Sequence, residues 1–159
     1  MPSVVSNTGP LIALATIGQF DLLRKLFGEI LIPPAVRAEI LDENTVNAVT
    51  AADWIIVRTA QDEIAVQLLK GELDAGEGEA IVLARELNAD LLLIDDRSAR
   101  RKASAIELST IGTLGVLLLA KKRKLIPILG PLVDDLRRAG FHMSDELYEQ
   151  VLDSAGEKE

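Results

Sequence analysis

Cysteine is absent from this chain of 159 residues, which removes structural disulfides, thiolate zinc sites and cysteine nucleophiles together. Histidine occurs once, at His142, so no histidine-rich metal site can form. Aromatic residues make up only 3%, and the core must therefore rest on Leu, Ile, Val and Ala. No stretch approaches the length of a membrane-spanning helix, and the N-terminus lacks the basic-then-apolar order of a secretion signal. Residence in the cytoplasm, away from membranes, is the expectation. Positive charge is the scarcer sign: 17 Lys and Arg against 25 Asp and Glu leave a formal net charge of −8. That balance weakens any broad attraction to nucleic acid, although local basic patches can override it.

What is present is a folding chain. Apolar residues are 48% of the total, and the length suits one domain with a sizeable core. Residues 1–155 read as that domain and 156–159 as a loose tail. Internal repeats and linkers rich in Gly or Ser are missing. Val4 to Ser6 reads as a first strand, broken by Asn7-Thr8-Gly9-Pro10, with helical character resuming from Leu11 to Ala15. Further helices are expected over 20–27, over 34–41 with Val36, Ile40 and Leu41 inward, over 45–52 and over 61–69. Asp74 opens a longer helix to about Leu87, with Asn88 as a left-handed stop. Others follow over 98–105, 112–122 and 127–139, the last stopped by Gly140, and Ser144 caps a final one. Short strands are expected at 29–32, 55–57, 91–94 and 106–108. The unbroken Leu91-Leu92-Leu93-Ile94 run suggests a parallel sheet covered on both faces. Strands alternating with helices predict an α/β sandwich around such a sheet.

Carboxylates mark the ends of these segments. In open α/β sheets, ligands bind beyond the carboxyl ends of the strands. Asn7 follows the first strand and Asp95-Asp96 follow the Leu91–Ile94 strand, so both reach one edge if the two strands are neighbours. The competing reading is that Asp95 or Asp96 caps the helix near Ser98, or pairs with Arg97, Arg100 or Arg101. Asp74 and Glu77 have the spacing of a capping box. Glu77 also shares the core-facing arc of Ala80, Ile81 and Ala84, which favours it over Glu79 as a site residue. Glu39 has nothing in its spacing that lifts it above a solvated helix residue. With neither Cys nor a second His, oxygen ligands must hold any metal, and these suit Mg²⁺ or Mn²⁺. The single His142, just past a helix-ending glycine, reads as a packing or capping residue. Lys121 to Lys124 read as a solvated helix end.

The stretches Val4-Val5-Ser6-Asn7-Thr8-Gly9-Pro10, Ile32-Pro33-Pro34-Ala35-Val36-Arg37-Ala38-Glu39-Ile40, Gly76-Glu77-Gly78-Glu79 and Leu93-Ile94-Asp95-Asp96-Arg97-Ser98 resemble, in order and spacing, the PIN-domain superfamily. The closer likeness is to its DUF3368-type branch, related to VapC toxins. Gly112-Thr113-Leu114-Gly115 and Gly140-Phe141-His142-Met143-Ser144 extend the resemblance over nearly the whole chain. It implies a PIN-like three-layer α/β/α sandwich around a short parallel sheet, whose acidic residues bind Mg²⁺ or Mn²⁺ and cut single-stranded RNA. Carried over, Glu39, Glu77 and Asp95 match the second, third and fourth acids as catalytic and metal-binding residues. Glu79 is the competitor of Glu77, and Asp96 the helper of Asp95. The first acid, normally Asp, is Asn7 here, which keeps an oxygen ligand but loses a negative charge. Thr8 could bond a ligand or its water, and Arg97, Arg100 and Arg101 could hold substrate. The resemblance further implies a toxin of a toxin–antitoxin pair, a homodimer and a small antitoxin partner. The alternative, favoured by Asn7, is a catalytically impaired PIN-like module that binds protein.

Overall fold

Five short aliphatic runs pair into one sheet: β1 (Val4–Ser6), β2 (Ile30–Ile32), β3 (Ile55–Val57), β4 (Leu91–Leu93) and β5 (Thr110–Ile111). The structure, a computed structural model, describes residues 2–157. The order is β3-β2-β1-β4-β5 and every pairing is parallel. Val5 stands opposite Leu31 on one side and Leu92 on the other. Parallel neighbours need crossover connections, and ten helices accompany the strands among the described residues. They are α1 (Thr8–Thr16), α2 (Asp21–Phe27), α3 (Pro34–Glu39), α4 (Glu43–Ala51), α5 (Glu63–Leu69), α6 (Ala75–Glu86), α7 (Arg97–Ala105), α8 (Thr113–Lys122), α9 (Gly130–Arg138) and α10 (Asp145–Ser154).

One helical group centres on α6, which lies on β1 and β4 with α3 and α5 beside it. The other joins α1, α2 and α8, with α2 on β2, α4 against α1 and α10 against α8. The result is the three-layer α/β/α sandwich with a short parallel sheet. Leu11, Leu14, Leu23, Ile30, Ile32, Leu92 and Leu117 are completely buried, and each contributes about 1.5–3 kcal/mol relative to exposure. The near absence of aromatics is met as expected: of the five, only Phe27 is a fully buried core residue.

Three local readings are corrected. Asn7-Thr8-Gly9-Pro10 ends β1 as expected, but α1 starts already at Thr8 and not at Leu11, with Pro10 in its first turn, where no N–H is needed. Helix α3 stops at Glu39 as Ile40 turns extended, so Ile40 stays buried while Leu41 is 85% exposed instead of inward. The strand expected at 106–108 lies at 110–111. Ile106 ends α7, and Glu107 takes a left-handed φ of 65° that turns the chain before it can pair. Asn88 (φ 50°) and Gly140 (φ 98°) are left-handed as expected, and Ser144 Oγ accepts the Leu147 N–H at 3.0 Å.

Of the tail expected to be loose, residues 158–159 lie outside the described residues. Glu157 itself is held. Its carboxylate accepts from Lys121 Nζ at 2.7 Å, from Leu129 N–H at 2.8 Å and from Gly130 N–H at 2.9 Å. No helix among the described residues is long and apolar enough to cross a membrane.

Candidate functional site

Connections from β1 run to β2 and β3 on one side, while β4 and β5 fill the other. The sheet therefore changes direction between β1 and β4, and the crevice outside their carboxyl ends is where α/β sheets bind ligands. Asn7 leaves β1 and Asp95 leaves β4 at that crevice. The Asn7 N–H donates to Leu93 O at 2.9 Å, continuing the ladder to the last residue before the site.

Asn7 occupies the N-cap of α1 in extended geometry (φ −81°, ψ 174°), yet its side chain makes no capping bond. The cause is local. Of the two N–H groups that a capping oxygen can take, those of the second and third helical residues, Pro10 removes the third and leaves only that of Gly9. Asn7 is only 7% exposed, and its Oδ1 is the single buried side-chain polar atom without a hydrogen-bond partner among the described residues. An orphaned acceptor of this kind costs about 1–3 kcal/mol, so its retention asks for a reason.

Glu39 comes to the same end of α1 from the last turn of α3. Its Oε2 accepts from Thr8 Oγ1 at 2.6 Å and its Oε1 from the Gly76 N–H at 2.8 Å. A methyl group at Gly76 would collide with this carboxylate, so glycine there is what lets α6 approach Glu39. Thr8 is thus a positioning residue for Glu39 rather than a free group. One residue on, Asp74 and Glu77 form the capping box: Glu77 N–H donates to Asp74 Oδ1 at 2.8 Å, and Asp74 N–H to Glu77 Oε1 at 3.2 Å. Burial pushes the Glu77 carboxyl above its ordinary range, and the charges of Asp74, Asp96 and Glu39 push the same way against the Asp74 N–H. Glu77 therefore feels the charges of both Glu39 and Asp96. Glu79 points elsewhere and accepts the Ala35 N–H at 3.2 Å, at the start of α3.

Asp95 is fixed from the far side. Its Oδ1 accepts the Thr113 N–H at 2.7 Å and its Oδ2 the Thr113 hydroxyl at 2.7 Å, so Asp95 caps α8 across 18 residues. Two glycines give it room: a Cβ at Gly112 would fall 2.7 Å from Oδ1, and one at Gly9 would fall 3.4 Å from Oδ2. Asp95 thus lies against the first turn of α1, on the opposite flank from Glu39. Asp96 caps α7 by accepting the Ala99 N–H at 2.9 Å. The capping alternative holds for Asp96 and not for Asp95. Neither pairs with Arg97, Arg100 or Arg101, none of which forms an ion pair among the described residues. Those arginines line a groove of about 850 Å³ that they share with Asp95, Asp96, Phe141 and His142.

Sequence reasoning missed several of these residues. Thr113 and Gly76 hold the two fixed carboxylates, and nothing but their place in the quoted motifs pointed to them. His142 is exposed and lines the groove, so the packing reading does not hold. Its position depends on how the 139–144 turn is carried back to α7, which no local pattern records.

The donors are all oxygen, as Mg²⁺ or Mn²⁺ requires. Among the described residues no three carboxylate or imidazole groups stand close enough to form a ready-made cage. Mg²⁺ does not need one, since it keeps several waters and is commonly held by one or two carboxylates together with substrate phosphates. The orphaned Asn7 Oδ1 and the glycine-backed carboxylates of Glu39 and Asp95 fit an ion of that hydrated kind.

A family model described as DUF3368: PIN domain matches residues 3–157. A comparison with curated proteins finds no match.

Proposed function

The chain belongs to the DUF3368 family of PIN domains, and from that premise we propose that its switch-point cluster is the centre of a nuclease dependent on Mg²⁺ or Mn²⁺ that cuts single-stranded RNA. The observation that carries this reading is the buried Asn7 Oδ1 left without a donor, at the end of α1 that Glu39 and Asp95 also reach. Asn7, Glu39 and Asp95 would hold the ion, with Glu77 and Asp96 reaching it through its waters. Glu79, committed to α3, is dropped from the set. When bound, the ion supplies a water of lowered pKa and neutralises charge on the phosphate oxygens. This chain's own residues do the rest. Thr8 and the Gly76 N–H hold and aim the Glu39 carboxylate, and the two donors of Thr113 do the same for Asp95. Glu77, with its raised carboxyl, is the group suited to take up or release a proton near the site. Arg97, Arg100 and Arg101 would bind the substrate's phosphates.

A role as the toxin of a toxin–antitoxin pair, acting as a homodimer held in check by a small protein, is part of the same proposal and rests on the family. Incubation of purified protein with single-stranded RNA and Mn²⁺ tests the reading, with Asp95→Asn as control. Cleavage by the parent and a loss of at least about a hundredfold in the variant is expected. Equal cleavage by both would exclude the site. A second reading is favoured by Asn7 and by the separation of the carboxylates: a PIN-like module that binds protein and no longer cuts. It predicts no cleavage by the parent and its appearance in Asn7→Asp.

A further inference from the structure

Helix α7 carries its three arginines on one face, while Lys102 lies off that face and pairs with Glu72. Arg97, Arg100, Arg101 and Ser104 follow the spacing of a single helical face, and all four line the 850 Å³ groove. The opposite face, Ala99 and Ala103, is completely buried. Cations in a first helical turn oppose the helix dipole, and Arg97 and Arg100 find no carboxylate to offset this among the described residues. Arg100 approaches the acidic end closely: its Nη1 lies 3.4 Å from where a Cβ at Gly112 would stand, beside Asp95 Oδ1. In a chain of net charge −8, three unpaired guanidinium groups along one groove form a local anion track.

The turn after α9 contributes to this groove as well. Phe141 and His142 line the same groove, Phe141 half-buried and His142 exposed. The other aromatics are occupied. Phe20 stacks on Trp54 with centroids 5.2 Å apart, Phe27 is in the core, and Tyr148 lies under Arg137 and donates to Asp134. Phe141 packs in part against the core and is the aromatic residue that lines this basic groove. A cationic track with an aromatic platform is how single strands are bound, phosphates on the charges and a base on the ring. The groove's size lies within the ~300–1,000 Å³ that encloses ligands of nucleotide scale.

We propose that this groove is a subsite for a single-stranded polynucleotide, in which Arg97 and Arg100 bind the phosphate next to the acidic cluster and Phe141, flanked by His142, stacks the adjoining base. It deepens the nuclease reading and rests on it for what lies at the acidic end, but binding itself needs neither metal nor cleavage.

The test is fluorescence anisotropy in EDTA with labelled oligothymidylate and a matched abasic oligomer of the same phosphate count. The parent should bind oligothymidylate more tightly than the abasic strand. Phe141→Leu keeps the apolar packing and removes the ring, so it should weaken oligothymidylate binding about tenfold and leave the abasic strand unchanged. Arg100→Gln should weaken both and lower the slope of log K against log salt by about 0.7. Circular dichroism checks that each variant is folded. No binding by the parent, or a folded Phe141→Leu that binds oligothymidylate as the parent does, overturns the subsite; so does equal loss on both probes. The nuclease reading fails separately. Parent protein that shows this base-dependent binding yet never cleaves with Mn²⁺ keeps the subsite and loses the nuclease, whereas Mn²⁺-dependent cleavage with ring-independent binding does the reverse.

Discussion

Asn7 sits where charge and burial conflict. An aspartate in its place would add a third carboxylate at the end of α1 that Glu39 and Asp95 reach, at a position only 7% exposed, and without a cation that charge has no partner. Asn7→Asp is therefore expected to lose about 2–3 kcal/mol of stability in EDTA, a fall in Tm of roughly 4–12 °C for a chain of this size. Saturating Mn²⁺ should restore it by linkage, and Mn²⁺ should bind about tenfold more tightly than to the parent. Thermal melts with and without the ion read both effects. Glu77 carries a milder form of the conflict. Its folded carboxyl is raised above its ordinary value of 4.5, first by burial, so the folded state is favoured while Glu77 is protonated and loses that advantage as pH rises through the raised value. Glutamine keeps the acceptor of the capping box without the charge. In metal-free buffer Glu77→Gln should melt at or above the parent at neutral pH, and the difference should close as pH falls below 4.5. At this scale the sequence was informative about residue type. The capping box and the oxygen-only donor set were both legible, while the roles of Thr8, Thr113 and Gly76 depend on contacts between residues 18 to 37 apart.

Elements explain why the orphaned oxygen exists. Helix α1 has Asn at its N-cap and Pro at its third position, and the proline withholds one of the two N–H groups that the asparagine could engage. Pro10→Ala returns that donor. The expected outcome is a folded protein whose Asn7 caps α1 and whose affinity for Mn²⁺ falls several-fold, read by calorimetric titration beside the parent. Helix termini converge here in general: Glu39 ends α3, the Gly76 N–H opens α6, Asp96 caps α7 and Asp95 caps α8. Long apolar patterns such as those of α6 and α8 could be read directly from the residues. The ends could not. Leu41 left its helix because Ile40 turned extended, and β5 began four residues later than periodicity suggested because Glu107 turns left-handed. Both are one-residue backbone events that apolar periodicity does not encode.

The whole molecule supplies what neither residues nor elements contain, the placement of β4 beside β1. Once the parallel order β3-β2-β1-β4-β5 is formed, Asn7 and Asp95 share a crevice although 88 residues separate them. That topology was legible only through strand–helix alternation and the family resemblance. The C-terminal end closes the fold in a way the sequence did not reveal. Burial raises the Glu157 carboxyl, but Lys121 and the Leu129 and Gly130 N–H donors outweigh it and leave the group below its ordinary 4.5. A depressed folded value means stability that is present above pH 4.5 and lost as pH falls through the folded value. Glu157→Gln should thus cost about 2 kcal/mol at neutral pH and nothing in strong acid, as denaturant melts across that range would show.

The central claim is that the crevice between β1 and β4 holds a hydrated divalent cation. Calorimetric titration of Mn²⁺ into metal-free protein, with Glu39→Gln and Asp95→Asn in parallel, tests it most directly. One saturable site in the parent, weakened at least about tenfold in each variant, is the predicted result. No binding at millimolar ion, or binding that both variants retain unchanged, would contradict it.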